Sequence, residues 1–178
     1  DIGITIKNSN IFMNENPNNI IGVYYWYSIE STSISDCNFI TYGTAIHNTI
    51  SSVIVDADSN YWGHSSGPYH PSQNPTGQGD SVNAFVNVTP WLTTPNTDAP
   101  PIPAQNTTVT STGNDFISLK WDTSPLGDLA GYKLYYDSDS SGYPYTNSVD
   151  IGTDTSYTLS SLTLGTTYYL AVTTYDTD

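Results

Sequence analysis

Basic side chains are nearly absent from this chain of 178 residues. It contains Lys7, Lys120 and Lys133 and no arginine, against 17 acidic residues, which gives a formal net charge of −14. A charge of this sign and size repels phosphate backbones and anionic membrane surfaces, so nucleic acid is not an expected partner. Together with abundant Thr, Ser, Asn and Tyr, the low basic content is typical of a secreted or surface-exposed bacterial or archaeal protein.

Cysteine, long apolar runs and helical patterns are also lacking. The single cysteine, Cys37, cannot form an internal disulfide, so disulfide bonds within the chain do not stabilise it. No run of about 18 apolar residues occurs, so no membrane-spanning helix is expected. Short β-branched and aromatic runs recur between Asn, Asp, Gly and Ser, without a convincing helical period, which predicts an all-β chain.

The N-terminus and a proline-rich stretch bear on the domain organisation. No signal peptide is present, and the first residues, DIGITIKNSN, already resemble a strand inside a domain, so we expect a segment of a longer precursor. Four prolines within residues 93–105 predict a stiff, extended linker. We therefore place a domain boundary near residue 98, between domains at 1–97 and 98–178.

The first domain contains an internal repeat. The segments ITIKNSNIF, TSISDCNFI and SVIVDADSNYW each carry an aliphatic residue followed by Asx, a small residue and Asx. The Asx cores begin at Asn8, Asp36 and Asp56, and their spacing fits successive coils of a right-handed parallel β-helix. Asx residues suit tight corners because they tolerate the left-handed backbone region. The alternation predicts six inward side chains: Ile6, Ser9, Ile34, Cys37, Ile54 and Ala57.

Residues 60–92, NYWGHSSGPYHPSQNPTGQGDSVNAFVNVTPWL, closely resemble the segment that closes right-handed parallel β-helix repeat proteins of the pectate-lyase-like kind. The matching motifs are N-Y-W-G, S-G-P, N-P-x-G-x-G-D and P-W-L. The resemblance implies a structural loop that covers the last open coil of the solenoid. The residues that it assigns to this cap are Trp62, Gly63, Gly67, Pro68, Asp80 and Trp91.

The second domain resembles a fibronectin type III domain. The segment ISLKWD carries the strand-B tryptophan, Trp121, and LAGYKLYYDSDSSG is similar to strand C and its exit. SYTLSSLTLGTTYYLAVTTYD matches the turn L-x-P-G-T-x-Y and strand F, with Leu164 where proline is usual. The resemblance implies that Tyr168 is the tyrosine corner, whose hydroxyl returns to upstream backbone.

The seventh strand of such a domain, strand G, has no sequence here, because the chain stops just after strand F. An edge without this strand carries unpaired backbone groups and is a template for another strand. Truncation is the explanation we favour, because the N-terminus also looks cut inside a domain. The alternative is that a neighbouring subunit donates a strand to strand F.

Two histidines in the cap segment are candidate metal ligands. His64 and His70 would need a third ligand such as Asp80 or His47, and no metal-binding spacing is present. The resemblance gives the segment a structural role, so we favour a structural role for its histidines as well.

Calcium is the one cofactor that the sequence suggests. Asp137, Asp139 and Gly142 in DSDSSG resemble the start of a calcium loop, although they are also ordinary turn residues. The EF-hand pattern needs a glutamate at position 12 of its loop, which falls on Ser148, so that pattern fails. Weak calcium binding in so acidic a chain stays an expectation. Further candidates are Asp80 and Asp128.

Asp56 and Asp58 are a carboxylate pair of the kind that glycoside hydrolases use. They coincide with the corner positions of the repeat, which favours a structural role. Lyases of the β-helix superfamily usually need basic residues, and the first domain offers only Lys7. We therefore expect no catalysis within this segment, although a missing upstream portion could hold an active site.

The densest aromatic cluster is VYYWYS. On a strand, Tyr24 and Trp26 face one way, and Tyr25 and Tyr27 face the other. One pair is expected to pack inward. The other pair forms either more core or an exposed ridge that contacts sugar rings or a protein partner.

Two sequons permit N-glycosylation in a host with the machinery, although such short motifs also arise by chance. They are Asn87-Val88-Thr89 and Asn106-Thr107-Thr108.

Two functions fit these observations better than catalysis. The first, which we favour, is a non-catalytic structural or adhesive module of a larger extracellular protein, including a subunit of a filament or another surface assembly. The second is a glycan-binding ancillary region of a polysaccharide-degrading enzyme. They differ in whether the aromatic cluster contacts protein or glycan, and the fold alone does not decide between them.

Overall fold

The computed structural model describes residues 4–12, 21–25, 32–41, 43–126, 129–139, 142 and 144–177. Within these ranges every regular element is a β-strand, which confirms the predicted all-β class. None of the described residues belongs to a helix long and apolar enough to cross a membrane. The chain divides into two compact units, Asp1–Pro100 and Pro101–Asp178.

The first unit consists of short strands in three parallel sheets. The sheet orders are β1-β4-β7-β10, β2-β5 and β3-β6-β9-β8. All strand pairs within these sheets are parallel. The strands are β1 (Ile4–Lys7), β2 (Asn10–Phe12), β3 (Ile21–Tyr25), β4 (Thr32–Ser35), β5 (Asn38–Ile40), β6 (Thr44–Asn48), β7 (Val55–Asp56), β8 (Pro68–Tyr69), β9 (Gly79–Val82) and β10 (Val86–Asn87).

Successive turns of the chain stack on one another in this unit. Strands β4, β5 and β6 repeat the path of β1, β2 and β3, and each pairs with its equivalent in the previous turn. The third turn places β7 beside β4 and β9 beside β6. Each turn therefore buries its inner side chains against those of its neighbours.

The corner that follows β1, β4 and β7 recurs in all three turns. Asn8, Asp36 and Ser59 occupy the left-handed region there, with φ of 47°, 56° and 55°. The amide of Asp36 donates to the carbonyl of Ser59 at 3.0 Å, which stacks the second corner on the third. The predicted start of the third repeat at Asp56 is wrong by three residues, because Asp56 faces Ser33 rather than Asp36.

The same shift corrects one inward side chain. Ile54 was predicted to point inward, yet 55% of its surface is exposed, while the neighbouring Val55 is buried. Of the other predicted inward residues, Ile34, Cys37 and Ala57 are fully buried, and Ile6 and Ser9 are half-buried.

The core of the first unit is apolar and contains one large aromatic stack. The Trp62 ring lies on the Phe39 ring with centroids 4.5 Å apart and planes 6° from parallel. Cys37 is part of the core, and burial raises the pKa of its thiol. The buried members are Ile34, Cys37, Phe39, Ala45, Ile46, Val55, Ala57, Trp62, Val82, Val86 and Val88.

The second unit has two antiparallel sheets. Their orders are β11-β12-β15 and β14-β13-β16. Its strands are β11 (Gln105–Thr112), β12 (Phe116–Asp122), β13 (Gly131–Asp137), β14 (Asn147–Gly152), β15 (Ser156–Ser160) and β16 (Tyr169–Tyr175). A single apolar core contains Leu119, Trp121, Tyr132, Leu134 and Leu159.

Strand β16 corresponds to the predicted strand F. It pairs with β13, and no other strand among the described residues pairs with its second edge. The donation of a strand to this edge stays a prediction.

Candidate functional site

The cap segment, residues 60–92, contains a long loop at one corner of the stacked turns. In the second turn, residues 41–43 are enough to connect β5 to β6. In the third turn, Tyr61 bridges to Asn38 of β5 and β9 pairs with β6, so residues 62–78 occupy the equivalent corner. The cap is thus a greatly lengthened corner.

Asp80 anchors the far end of this loop to the shorter corner beside it. Its carboxylate accepts the amide of Thr41 at 2.6 Å and the amide of Gly43 at 3.1 Å. Its own amide donates to the carbonyl of Trp62 at 2.8 Å. Asp80 is 9% exposed, and the bond from Thr41 is buried while the bond from Gly43 is partly buried. Hydrogen bonds to a charged acceptor are stronger than neutral ones.

Tryptophan and glycine fix the path of the loop. Trp62 is fully buried, and Trp91 packs at the edge of the same core. Gly67 has φ of 76°, and a Cβ at this position would lie 2.5 Å from Cε2 of Trp91, so only glycine fits. Gly63 also has a positive φ, of 80°, and Pro68 accepts the side-chain amide of Asn74 at 2.9 Å.

His70 is fully buried and uses both ring nitrogens structurally. Nδ1 faces the amides of Ser72 at 3.1 Å and Gln73 at 2.9 Å, so it must accept, and this assigns the proton to Nε2. Nε2 therefore donates to the carbonyl of Val86 at 3.0 Å. Burial lowers the pKa of His70 below its ordinary value of 6.5, with the Val86 bond acting in the opposite direction.

The structure does not bring the other predicted metal ligands to His70. Nδ1 of His64 lies 2.8 Å from the hydroxyl of Ser66, and the ring of His47 stacks on Tyr24. Asp80 is occupied by backbone amides, as described above. In the described part of the chain, no group of three or more His, Cys, Asp or Glu side chains is arranged to hold a metal ion.

The lowered pKa of His70 predicts that acid destabilises the cap. The unfolded chain binds a proton below pH 6.5 more readily than the folded loop does, so the contribution of neutral His70 is complete above pH 6.5. That contribution is lost as the pH falls from 6.5 toward the folded pKa. Denaturant unfolding at a series of pH values should show this loss in the wild type and in His64→Gln. His70→Gln should lack it, and an identical pH dependence in His70→Gln would contradict the assignment.

The carboxylate pair Asp56 and Asp58 does not form a site with a base. Asp56 is exposed and accepts the side-chain amide of Asn87 at 2.9 Å, while Asp58 lies beyond the end of β7. The ammonium of Lys7 is paired with Asp36 at 3.3 Å. The absence of catalysis in this segment stays a prediction.

Asp137 closes the loop between β13 and β14. Its two carboxylate oxygens accept the amides of Ser138 at 2.7 Å and Thr146 at 2.8 Å. The side chain of Thr146, then its amide and that of Ser138, lower the pKa of Asp137 from 3.8 to about 2. A calcium ion at Asp137 and Asp139 would have to compete with these bonds, and Asp128 lies outside the described residues. Calcium binding stays a prediction.

The acid stability of this loop provides a second test. The contribution of ionised Asp137 is complete above pH 3.8 and is lost as the pH falls to about 2, because the unfolded carboxyl takes up its proton first. Asp137→Asn should destabilise the second unit at neutral pH and remove this acid-dependent step. The exposed Asp154→Asn is the control, and unfolding curves between these pH values supply the measurement. Equal effects of the two variants would argue against a loop-closing role.

Of the predicted aromatic cluster, the structure places Tyr24 on the surface. Its side chain is 56% exposed, and its ring stacks on His47 with centroids 5.7 Å apart and planes 9° from parallel. Strand pairing sets this contact, since Tyr24 faces His47 in register. The side chain of Tyr25 and the residues Trp26 and Tyr27 lie outside the described residues.

Buried asparagines hold the first unit together, a role that the repeat pattern did not predict beyond tight corners. The side-chain amide of Asn38 donates to Oδ1 of Asn10 at 2.7 Å and to the carbonyl of Asn96 at 2.8 Å. Asn96 donates back to Oδ1 of Asn38 at 2.7 Å, so part of the predicted linker is fastened to this unit. Asn60 is fully buried and donates to two carbonyls. The recurrence of Asn10 and Asn38 at one repeat position was the available signal.

Trp121 and Tyr168 occupy the positions expected of a β-sandwich core and corner. Trp121 is 4% exposed and packs against Tyr132 with ring centroids 5.4 Å apart. The hydroxyl of Tyr168 accepts the amide of Thr163 at 3.1 Å, five residues upstream. Such a bond fixes the turn that enters β16.

Comparison with known families agrees with this geometry. The model of the fibronectin type III domain matches residues 100–178. These residues form a fibronectin type III domain. The residues matched by the fibronectin type III model include both Trp121 and Tyr168.

Individual known proteins match parts of the chain. A Kelch domain-containing protein of Saccharolobus solfataricus is 34% identical over 77 residues, which are 43% of this chain and 10% of that protein. The chain therefore spans about a tenth of the length of this relative. Among solved structures, the FN1–FN3 domains of chicken CNTN1 share 20% identity over 42% of this chain and 26% of theirs, with a TM-score of 0.38. The fn3 domain of human contactin 1 shares 19% identity over 44% of this chain and 67% of its own, with a TM-score of 0.40.

Proposed function

We propose that this chain is a non-catalytic structural or adhesive segment of a larger prokaryotic protein that is secreted or held at the cell surface. Fibronectin type III domains are typical of extracellular adhesive and structural modules. In this proposal the first unit is the closing part of a right-handed parallel β-helix, and residues 60–92 are its cap. The stacked parallel turns and the recurrent left-handed corners support that assignment.

One observation carries the proposal. Two side chains of the cap that could do chemistry are used to hold backbone: Asp80 accepts two amides, and His70 bonds three backbone groups. A catalytic or metal-binding loop needs such groups directed at a ligand with some of their bonding capacity unused. A loop whose polar groups are consumed internally acts as a rigid cover.

The test is electron microscopy and native mass determination of the complete protein that contains this chain. Ordered filaments, sheets or defined oligomers support a structural subunit. A discrete monomer with measurable hydrolase or lyase activity in this segment would overturn the proposal. A crystal structure of the complete protein would also test the β-helix, since further parallel turns should pair with β1.

Glycan binding is the second candidate function, and the exposed stack of Tyr24 on His47 favours it. A flat aromatic face next to polar groups can stack on a sugar ring. Affinity electrophoresis in gels that contain neutral or acidic polysaccharides measures this directly. Retardation should be lost in Tyr24→Ala and kept in Tyr69→Ala, whose tyrosine is 46% exposed on another strand of the same sheet. Equal retardation of the wild type and Tyr24→Ala would exclude the Tyr24 platform.

A further inference from the structure

The two sequons differ in the exposure of their asparagines. Asn106 is exposed near the start of β11, at a point where the pairing with β12 is irregular. Gln105 faces Asp122 and Thr108 faces Lys120, so two residues of β11 stand against one of β12. This is a bulge, and Asn106 has the left-handed φ of 51° that a bulge of this kind tolerates in asparagine.

The side chain of Asn106 is exposed, and its amide nitrogen can form another bond besides the one to Asp122. Nδ2 donates to Oδ2 of Asp122 at 2.7 Å, and Asp122 is itself exposed. An amide nitrogen carries two hydrogens, so one can be replaced while the other keeps this bond. Thr108, the hydroxyl residue of the sequon, is also exposed.

Asn87 is less accessible than Asn106, because it is half-buried. It lies in β10 between the fully buried Val86 and Val88. Its Nδ2 donates to Asp56 at 2.9 Å, and its Oδ1 accepts the amide of Thr89 at 3.4 Å.

The hydroxyl of the same sequon is also engaged, since Thr89 donates it to Oε1 of Gln73 at 3.2 Å. Asn87 is half-buried between two fully buried valines, so it is less accessible to a modifying enzyme than the exposed Asn106.

We propose that Asn106 is an N-glycosylation site of the folded fibronectin type III domain and that Asn87 is not modified in the folded chain. The glycosyl donor is an oligosaccharide linked to a polyprenyl diphosphate, used by an oligosaccharyltransferase. Nδ2 of Asn106 forms a bond to the anomeric carbon as the bond from that carbon to the diphosphate oxygen breaks. The lipid diphosphate leaves, and Nδ2 releases one proton to a base of the enzyme. This site rests on the proposed extracellular location, where such modification occurs.

The position of Asn106 gives the glycan a physical role. Among the described residues, β11 pairs with β12 along one side and has no strand along the other. Most of its eight residues are exposed, including Val109 at 56%. An exposed edge strand of this length is a template for pairing with another chain. A hydrophilic glycan rooted at the start of the strand would block that approach.

The experiment uses the folded full chain, a purified single-subunit oligosaccharyltransferase and a short polyprenyl-diphosphate oligosaccharide, with intact-protein mass as the readout. We expect one added glycan. It should be absent from Asn106→Gln and Thr108→Ala, and it should be retained in Thr108→Ser and Asn87→Gln. Circular dichroism confirms that each variant is folded, and Thr108→Ala covers the case in which Gln strains the bulge.

Two outcomes would overturn the proposal. One is an unmodified folded chain under conditions in which a peptide of residues 103–110 is glycosylated. The other is a glycan that survives in Asn106→Gln and disappears in Asn87→Gln. Either result leaves the structural role of the chain untouched, because that role is tested by assembly rather than by modification.

Discussion

Replacing Trp62 with alanine is expected to lower the free energy of unfolding of the first unit by about 3–5 kcal/mol, the usual loss for a large buried aromatic side chain. Trp62 is fully buried and stacks on Phe39, so its removal leaves a cavity and removes the ring that stacks on Phe39. It also begins the lengthened corner, whose far end bonds to its carbonyl through the amide of Asp80. Amide hydrogen exchange of β5 and β6 in the full chain measures the loss without depending on the second unit.

Ile54→Ala is the matched control for this result. Ile54 lies in the same unit but is 55% exposed, so the substitution should change stability by only about 0.5 kcal/mol, as surface substitutions usually do. Similar losses in the two variants would contradict the packing described for the core. Unchanged exchange in Trp62→Ala would show that the loop does not depend on its tryptophan.

Asp80→Ala is expected to cost roughly 2–6 kcal/mol, because each of two amides left without an acceptor costs about 1–3 kcal/mol. The two amides are those of Thr41 and Gly43, and the Asp80 side chain is 9% exposed. Asp80→Asn should lose less, since the amide oxygen can still accept one of the two bonds. The expected order of stability is therefore wild type, Asn, Ala, measured by urea unfolding with circular dichroism.

The control must remove the same charge without touching an amide. Asp98→Asn does this, because Asp98 is exposed in the same unit. It should leave the unfolding free energy within about 0.5 kcal/mol of the wild type. If Asp98→Asn matched Asp80→Asn, net charge rather than the two bonds would explain the loss.

The fibronectin type III domain could be predicted from sequence because its signals are local. The tryptophan of β12 and the turn before Tyr168 lie within short runs of characteristic pattern, and the family match covers both. The stacking of the first unit was harder to predict. Its third corner lies at Ser59, not at Asp56. A pattern based on Asx residues does not predict a corner that is occupied by serine. Ile54 was misplaced for the same reason.

The roles of individual polar residues depended on partners far along the chain. His70 bonds the carbonyl of Val86, and Asp80 bonds the amides of Thr41 and Gly43. These hydrogen bonds form only when the turns stack, so no local sequence motif predicts them. The resemblance could therefore predict a structural role for the loop, but not which atoms bond it to the stacked turns.

The lengthened corner has an evolutionary consequence. Residues 62–78 replace a connection that needs only residues 41–43 in the previous turn, while the strands on both sides keep their parallel partners. A stacked repeat can thus accept a single large insertion at this corner, with only a local irregularity in the pairing of β9 with β6. A new surface can therefore evolve at this corner without changes in the rest of the fold. The exposed residues of the insertion can vary as long as the bonds at its two ends are kept.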